Sequence, residues 1–236
     1  MTKLNVCINK IAALREDGFN SRPDLVKIAA NIEKYGAAGI TVSPETDRSP
    51  IGSDDLFAIR KVITSELCVE GCPGDNFVRF IRLLHPDRVV LVPDRYSCDG
   101  TGKGWDTKHN LGYLSEVMEN FKVDGIHATL AVSPEIETIR YAAETGCGSV
   151  ELNTSAYGAA FDSDRDRAIE PYLFAAREAV ESGLAIAAAH GLNLTNIGFL
   201  STSIPAIQRF TVGHSLLCDA LDYGMESAVR AYLNEL

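Results

Sequence analysis

Along this chain, short apolar runs alternate with longer stretches whose apolar positions recur at helical spacing. The short runs are Leu4–Asn9, Gly39–Ser43, Leu67–Gly71, Arg88–Pro93, Gly125–Val132, Ser149–Thr154, Leu184–His190 and Ala206–Gly213, each with the length and flanking residues of a strand. Between them the pattern becomes that of an amphipathic helix, as in Leu25, Ile28, Ala29 and Ile32. Boundary residues agree. Ser21-Arg22-Pro23-Asp24 predicts a helix with a capping residue and an early proline, closed by Gly36. Ser53-Asp54-Asp55 opens the next, Pro134-Glu135 starts one ending near Gly146, and Asp162–Asp166 leads into a long helix ending at Gly183. Eight such units in succession predict an α/β fold: a single (β/α)8 barrel of the TIM type, with residues 1–236 as one domain.

A barrel of this kind builds its site at the C-terminal ends of its strands. Here those ends carry Asn9-Lys10, Ser43, Glu70, Pro93-Asp94, Ser133, Glu151, His190-Gly191 and Gly213-His214. Glu70 closes an apolar strand, where partial desolvation lifts a carboxylate toward the range of a general base; a carboxylate paired with an arginine would sit there equally well. Glu151 lies inside a run that reads as buried and therefore needs a partner, either as a structural ion pair or as part of the chemistry. His190 emerges from a very apolar strand and is placed for proton transfer near neutral pH, with Gly191 beside it for close backbone approach. Gly191 and Gly213-His214 follow strands seven and eight, where backbone N–H groups and a helix N-terminus bind phosphate in many barrels. His85, His109 and His127 read as structural.

Two loops exceed what the barrel needs. Asp94–Asp106 follows strand four and holds three glycines, the only tryptophan and two basic residues; it reads as a mobile lid over substrate, and it includes Thr101. Ser155–Ser163, rich in glycine and alanine, reads as a second loop after strand six. Asn9, Lys10, Ser43, Glu45 and Thr101 are the candidate substrate contacts.

Composition narrows the picture further. A net charge of −10 argues against a nucleic-acid surface, yet leaves room for a local phosphate site made of backbone N–H groups. No apolar run approaches the roughly 20 residues of a membrane span. Met1-Thr2-Lys3-Leu4 runs directly into the first strand, which predicts no secretory leader and a cytoplasmic protein. The six cysteines (Cys7, Cys68, Cys72, Cys98, Cys147, Cys218) form no CxxC pair; they read mostly as small buried hydrophobes, reduced in the cytoplasm, and not as zinc ligands.

Taken in order, the motifs resemble the pyridoxine 5′-phosphate synthase family of the deoxyxylulose-dependent vitamin B6 pathway, over essentially the whole chain. The resemblance is carried by Ile11-Ala12-Ala13-Leu14-Arg15, Gly39-Ile40-Thr41-Val42, Asp47-Arg48, Glu70, Leu91-Val92-Pro93-Asp94, Glu151-Leu152-Asn153-Thr154 with Tyr157, Gly191-Leu192 and Val212-Gly213-His214. It implies a barrel enzyme without cofactor or metal that condenses 1-deoxy-D-xylulose 5-phosphate with 3-amino-1-hydroxyacetone 1-phosphate. An amine–ketone Schiff base forms, phosphate and water leave, and the pyridine ring closes. The resemblance further implies a cytoplasmic octamer, inorganic phosphate as a partner, Glu70 as a general base, His190 as the general acid, and a phosphate subsite at Gly191, Gly213 and His214.

The chain also departs from that pattern. Asn9-Lys10 stands where the family has Asp-His, Cys7 where it has Asn, and Ser43-Pro44-Glu45 where it has His-x-Arg. Pro50, Gly18, Asn153 and Ser133 replace a His, an Arg, a His and an Asp. Serine cannot act as an imidazole base without its own activator, and Glu45 inverts a charge beside an anionic substrate. The reading is therefore a diverged member that performs condensation or proton-transfer chemistry on a small phosphorylated carbonyl or amine substrate. A genuine pyridoxine 5′-phosphate synthase and a non-catalytic phosphometabolite-binding barrel are the alternatives. Lys10 is a candidate Schiff-base lysine if its surroundings are apolar, and Glu45 would suit a cationic group on a new substrate.

Overall fold

In a computed structural model of the chain, residues 2–15, 22–44, 51–93 and 102–236 are described. Eight parallel strands close into a barrel in sequence order: β1 (Lys3–Cys7), β2 (Gly39–Val42), β3 (Glu66–Gly71), β4 (Arg88–Leu91), β5 (His127–Val132), β6 (Ser149–Asn153), β7 (Ala185–Ala189) and β8 (Ile207–Val212). The helices are α1 (Asn9–Ala12), α2 (Leu25–Lys34), α3 (Ser53–Val62), α4 (Asp75–Leu84), α5 (Leu111–Val123), α6 (Ile136–Glu144), α7 (Ser155–Ala160), α8 (Arg165–Glu181), α9 (Ile197–Ser203), α10 (His214–Tyr223) and α11 (Met225–Asn234). The predicted (β/α)8 architecture is therefore present. Most of the strands stop a residue or two short of the predicted ends, so that Asn9, Ser43, His190 and Gly213 stand just beyond the strands.

The strand pattern is explained by two different surroundings. Residues such as Leu4, Ile40, Val69, Leu91, Leu130, Leu152, Ile186 and Phe210 belong to one large apolar cluster shared with the helices. The alternate residues face into the barrel. There Cys68, Val90, Val92 and Ala131 form a small separate apolar cluster, β7 adds Ala187 and Ala189, and many of the other inward residues are polar: Asn5, Thr41, Glu70, Thr129, Ser149, Glu151, Arg209 and Thr211 are all buried.

Local chemistry corrects several expectations. Helix α2 starts at Leu25, with the Asp24 side chain accepting from Lys27 N at 3.1 Å; Pro23 precedes the cap instead of opening the first turn. Ser155–Ser163 is not a loop, because Ser155–Ala160 forms α7. Gly158 is there for contact: a Cβ on it would lie 2.1 Å from Gly191 O. Of the five cysteines described, Cys68 and Cys147 are buried, Cys7 and Cys72 half-buried and Cys218 exposed, so burial holds for fewer of them than expected. Among the described residues no helix is long and apolar enough to cross a membrane.

Candidate active site

At the C-terminal end of the barrel lies a cavity of about 360 Å³ bordered by residues from strands one, two, three, seven and eight, including Asn9, Lys10, Ser43, Glu70, His190, Gly191, Gly213 and His214. Eight of the predicted site residues thus share one cavity. Glu151 lies just beneath, 4 % exposed. Glu45 and Thr101 lie outside the described residues, as do Asp94, Pro50 and the first part of the predicted lid.

The centre of the site is a group of three side chains from three different strand ends. Carboxylate oxygens of Glu70 and Glu151 and a ring nitrogen of His190 all lie within 4.8 Å of one another. Glu70 is buried on β3 and accepts a hydrogen bond from Ser43 Oγ at 3.1 Å. Burial pushes the Glu151 carboxyl up to about 8, and the neighbouring Glu70 charge pushes the same way, while Arg209 and Arg88 oppose them. At neutral pH one proton is therefore held on this carboxylate pair, and the titration belongs to the pair. The same three donors form a group that could take a divalent cation.

His190 is held by its backbone. Its φ is 74°, in the left-handed region that a side chain rarely adopts, and Gly191 follows at 67°. The Thr154 hydroxyl, at the end of β6, lies within hydrogen-bonding distance of the Ala189 and His190 carbonyls. Asn196 Nδ2 donates to Gly191 O at 2.9 Å, and the buried Tyr157 hydroxyl donates to Asn196 O at 2.7 Å. This chain of contacts fixes the backbone of both His190 and Gly191. Opposite them, Gly213 caps α10, a ten-residue helix that begins with His214 and Ser215 at the cavity wall. The partial positive charge of a helix N-terminus suits an anion there.

The first two strands contribute differently than expected. Asn9 Oδ1 accepts from Ser43 N at 2.9 Å and Asn9 Nδ2 donates to Ser43 O at 3.2 Å. Its amide thus extends the β1–β2 pairing by one rung and sets the Ser43 hydroxyl on Glu70. Lys10 is exposed at the rim, so the apolar surroundings a Schiff-base lysine would need are absent. The root of the loop after β4 is anchored firmly: Trp105 Nε1 donates to Leu91 O, and Trp105 N to Ala131 O, both at 2.9 Å. Asn153 Nδ2 donates to Gly102 O at 3.0 Å, tying that root to β6. His109 pairs with Asp106 at 2.8 Å on the surface, outside this cavity.

Sequence reasoning missed Thr41, Thr211 and Cys7 in the cavity wall and the arginines below it. Their signal was parity: counting back by twos from Ser43 and Gly213 reaches Thr41, Thr211 and Arg209, and this face is the one turned inward.

The comparisons extend these observations to the whole chain. A phosphoribosylanthranilate isomerase from Thermotoga maritima covers 100% of this chain and 98% of its own, with a TM-score of 0.60 at 11% identity. A 4-hydroxy-2-oxoglutarate aldolase covers 99% of this chain and 94% of its own, with a TM-score of 0.64 at 15% identity. At such identities the likeness concerns the fold alone. The sequence relatives are far nearer. The pyridoxine 5′-phosphate synthase of Cytophaga hutchinsonii is 39% identical over 100% of this chain and 99% of its own. That of Flavobacterium johnsoniae is 40% identical over 100% of both. With residues 4–236 also matching the family described as pyridoxal phosphate biosynthesis protein PdxJ, the chain belongs to the PdxJ family.

Proposed function

We propose that this protein is a diverged pyridoxine 5′-phosphate synthase-type enzyme that performs cofactor-independent condensation and proton transfer on a small phosphorylated carbonyl or amine substrate. The observation that carries this reading is the convergence of Glu70, Glu151 and His190 within 4.8 Å of one another beneath a cavity rimmed by a helix N-terminus.

In this reading the substrate phosphate sits at Gly191, Gly213 and His214, where backbone N–H groups and the α10 dipole offset its charge. That anchor places the reacting carbons over the carboxylate pair. Glu70 removes a proton from carbon or from a carbinolamine. His190 protonates the departing oxygen; Glu151, which keeps its proton up to about pH 8, gives that proton to the substrate, and the proton on Glu70 then passes across the pair to restore Glu151. A base and an acid held side by side in a buried site supply typically 10²–10⁴-fold each. Ser43 holds the Glu70 carboxylate by its hydroxyl and does not act as a base. Lys10 offers a rim cation to an anionic substrate. Cytoplasmic residence and assembly into an octamer, as the family resemblance implies, complete the reading.

The rewritten positions around strands one and two favour a changed second substrate over the family's own pair. The test is a product assay. Purified protein is mixed with 1-deoxy-D-xylulose 5-phosphate and 3-amino-1-hydroxyacetone 1-phosphate, and pyridoxine 5′-phosphate is sought by mass spectrometry, with Glu70→Gln as control. The expected result is little or no pyridoxine 5′-phosphate, with turnover of other phosphorylated carbonyl or amine compounds that Glu70→Gln abolishes. Efficient synthesis from the family's pair would instead make the changes at Asn9, Lys10 and Ser43 tolerated variation.

A further inference from the structure

The turn after β7 holds its carbonyls on the side away from the cavity. The buried Thr154 hydroxyl, at the end of β6, lies within hydrogen-bonding distance of His190 O. Gly191 O accepts from Asn196 Nδ2 at 2.9 Å and packs against α7, where a Cβ on Gly158 would lie 2.1 Å from it. The Asn196 amide has one orientation, because its Oδ1 accepts from Asn193 N at 2.9 Å and leaves Nδ2 as the donor. Asn196 is itself buried, and its own carbonyl accepts from the Tyr157 hydroxyl. Thr154, Gly158 and Asn196 do not border the cavity, whereas His190, Gly191 and Leu192 do.

A trans peptide points its N–H opposite to its C=O. With the His190 and Gly191 carbonyls held toward β6, α7 and Asn196, the N–H groups of Gly191 and Leu192 turn the other way, to the side on which the cavity lies. Neither N–H donates a hydrogen bond among the described residues. Leu192 is 3 % exposed, and a buried backbone donor without an acceptor is rare in a folded chain. Two successive N–H groups turned to one side offer an anion a two-point contact.

We propose that Thr154 and Asn196 are positioning residues for anion binding: by holding two carbonyls away from the cavity, they turn the Gly191 and Leu192 N–H groups onto a phosphate oxygen of the substrate. The proposal rests on the reading of this corner as the phosphate subsite and extends it. The anion then meets the N–H pair of the β7 turn on one side and the N-terminus of α10 on the other. Both sets of donors are fixed before the substrate arrives, so little ordering is required on binding. Gly158 serves the same arrangement, because any side chain there would displace Gly191 O and with it the Leu192 N–H of the same peptide.

The test uses inorganic phosphate as the probe and magnetic resonance of the backbone amides. His190-Gly191 is the only His-Gly pair in the chain, and Gly-Leu occurs only at Gly183-Leu184 and Gly191-Leu192. Labelling the carbonyl carbon of histidine or glycine together with the amide nitrogen of glycine or leucine therefore isolates the Gly191 and Leu192 resonances, with Leu184 as an internal reference. Added phosphate is expected to move both to lower field, saturably, while Leu184 stays put. Thr154→Val and Asn196→Ala are each expected to weaken phosphate binding by about tenfold and to shrink both shifts; Thr154→Ser, which keeps the hydroxyl, is expected to bind as the unaltered protein does. If a variant does not fold, the shifts in the unaltered protein still decide. A purely structural role would lower the melting temperature of the variants and leave the phosphate affinity of the folded protein unchanged, which would overturn the proposal. So would phosphate that binds the unaltered protein, seen by broadening of its phosphorus resonance, without moving either amide; the subsite would then belong to α10 alone. Phosphate that does not bind at all would overturn the subsite together with the proposal.

Discussion

The two faces of the eight strands are made of opposite materials. Outward, Leu4, Ile40, Leu91, Leu130, Leu152 and Phe210 are all 0 % exposed and join one aliphatic layer with the helices. Inward, the same strands bury Glu70, Glu151, Arg209, Thr41 and Asn5. The outer face is where burial of apolar area holds the barrel closed. The inner face spends part of that stability on charges kept dry beneath the cavity. The difference teaches how one sheet serves two ends: stability is carried by one parity of residues and chemistry by the other.

Substitutions that exchange these properties test the division. The largest effect is expected from Glu70→Gln, which should lower turnover of an accepted substrate by about 10²–10⁴-fold while the melting temperature stays equal or rises. A comparable loss of stability would place Glu70 in the scaffold instead. On the other face, Phe210→Ala should cost about 3–5 kcal/mol in urea unfolding, at every pH alike, and leave the carboxyl titration unmoved.

Glu151→Gln should do the reverse and stabilise the protein in a pH-dependent way. Folding raises the Glu151 value from 4.5 to about 8, so the folded protein holds this proton more tightly than the unfolded chain does. The cost of burying Glu151 is absent below pH 4.5, grows as pH rises through that window, and levels off above about 8. The advantage of the glutamine variant in thermal melts should follow the same course; an advantage that shrinks as the pH rises would contradict it. The smallest effect is expected from Ser43→Ala, which removes the 3.1 Å hydrogen bond to Glu70 and should lower kcat/KM by about tenfold or less. Loss as large as in Glu70→Gln would make Ser43 a reacting group.

How much of this was legible follows from the same two faces. The outer layer announces itself, because a strand covered by helices reads as a short apolar run, and eight of them gave the barrel and the location of its site. Glu70, His190, Gly191 and Gly213 were visible because strand ends are few and their chemistry contrasts with the apolar runs before them. The inner face was harder to read. Arg88 opens its apolar run and Arg209 follows Gln208 inside another, so both look like surface residues until closure turns them toward Glu66. Asn9 was read as a substrate contact and does line the cavity; that its amide also spans the Ser43 backbone was not legible, because the pairing depends on the β1–β2 register. Helix α7 was hidden by Gly158, whose absent side chain reflects contact with Gly191 and not a flexible loop.

The most direct test of the central claim is hydrogen exchange on carbon. Unaltered protein and Glu70→Gln are incubated separately with 1-deoxy-D-xylulose 5-phosphate in deuterated water, and label entering the carbons beside the carbonyl is followed by mass spectrometry, with inorganic phosphate as competitor. The account expects faster labelling with the unaltered protein, slowed by phosphate and absent above background in Glu70→Gln. Equal labelling by both proteins, or none above background from a protein that binds the compound, would contradict a carboxylate pair that moves protons on a phosphate-anchored substrate.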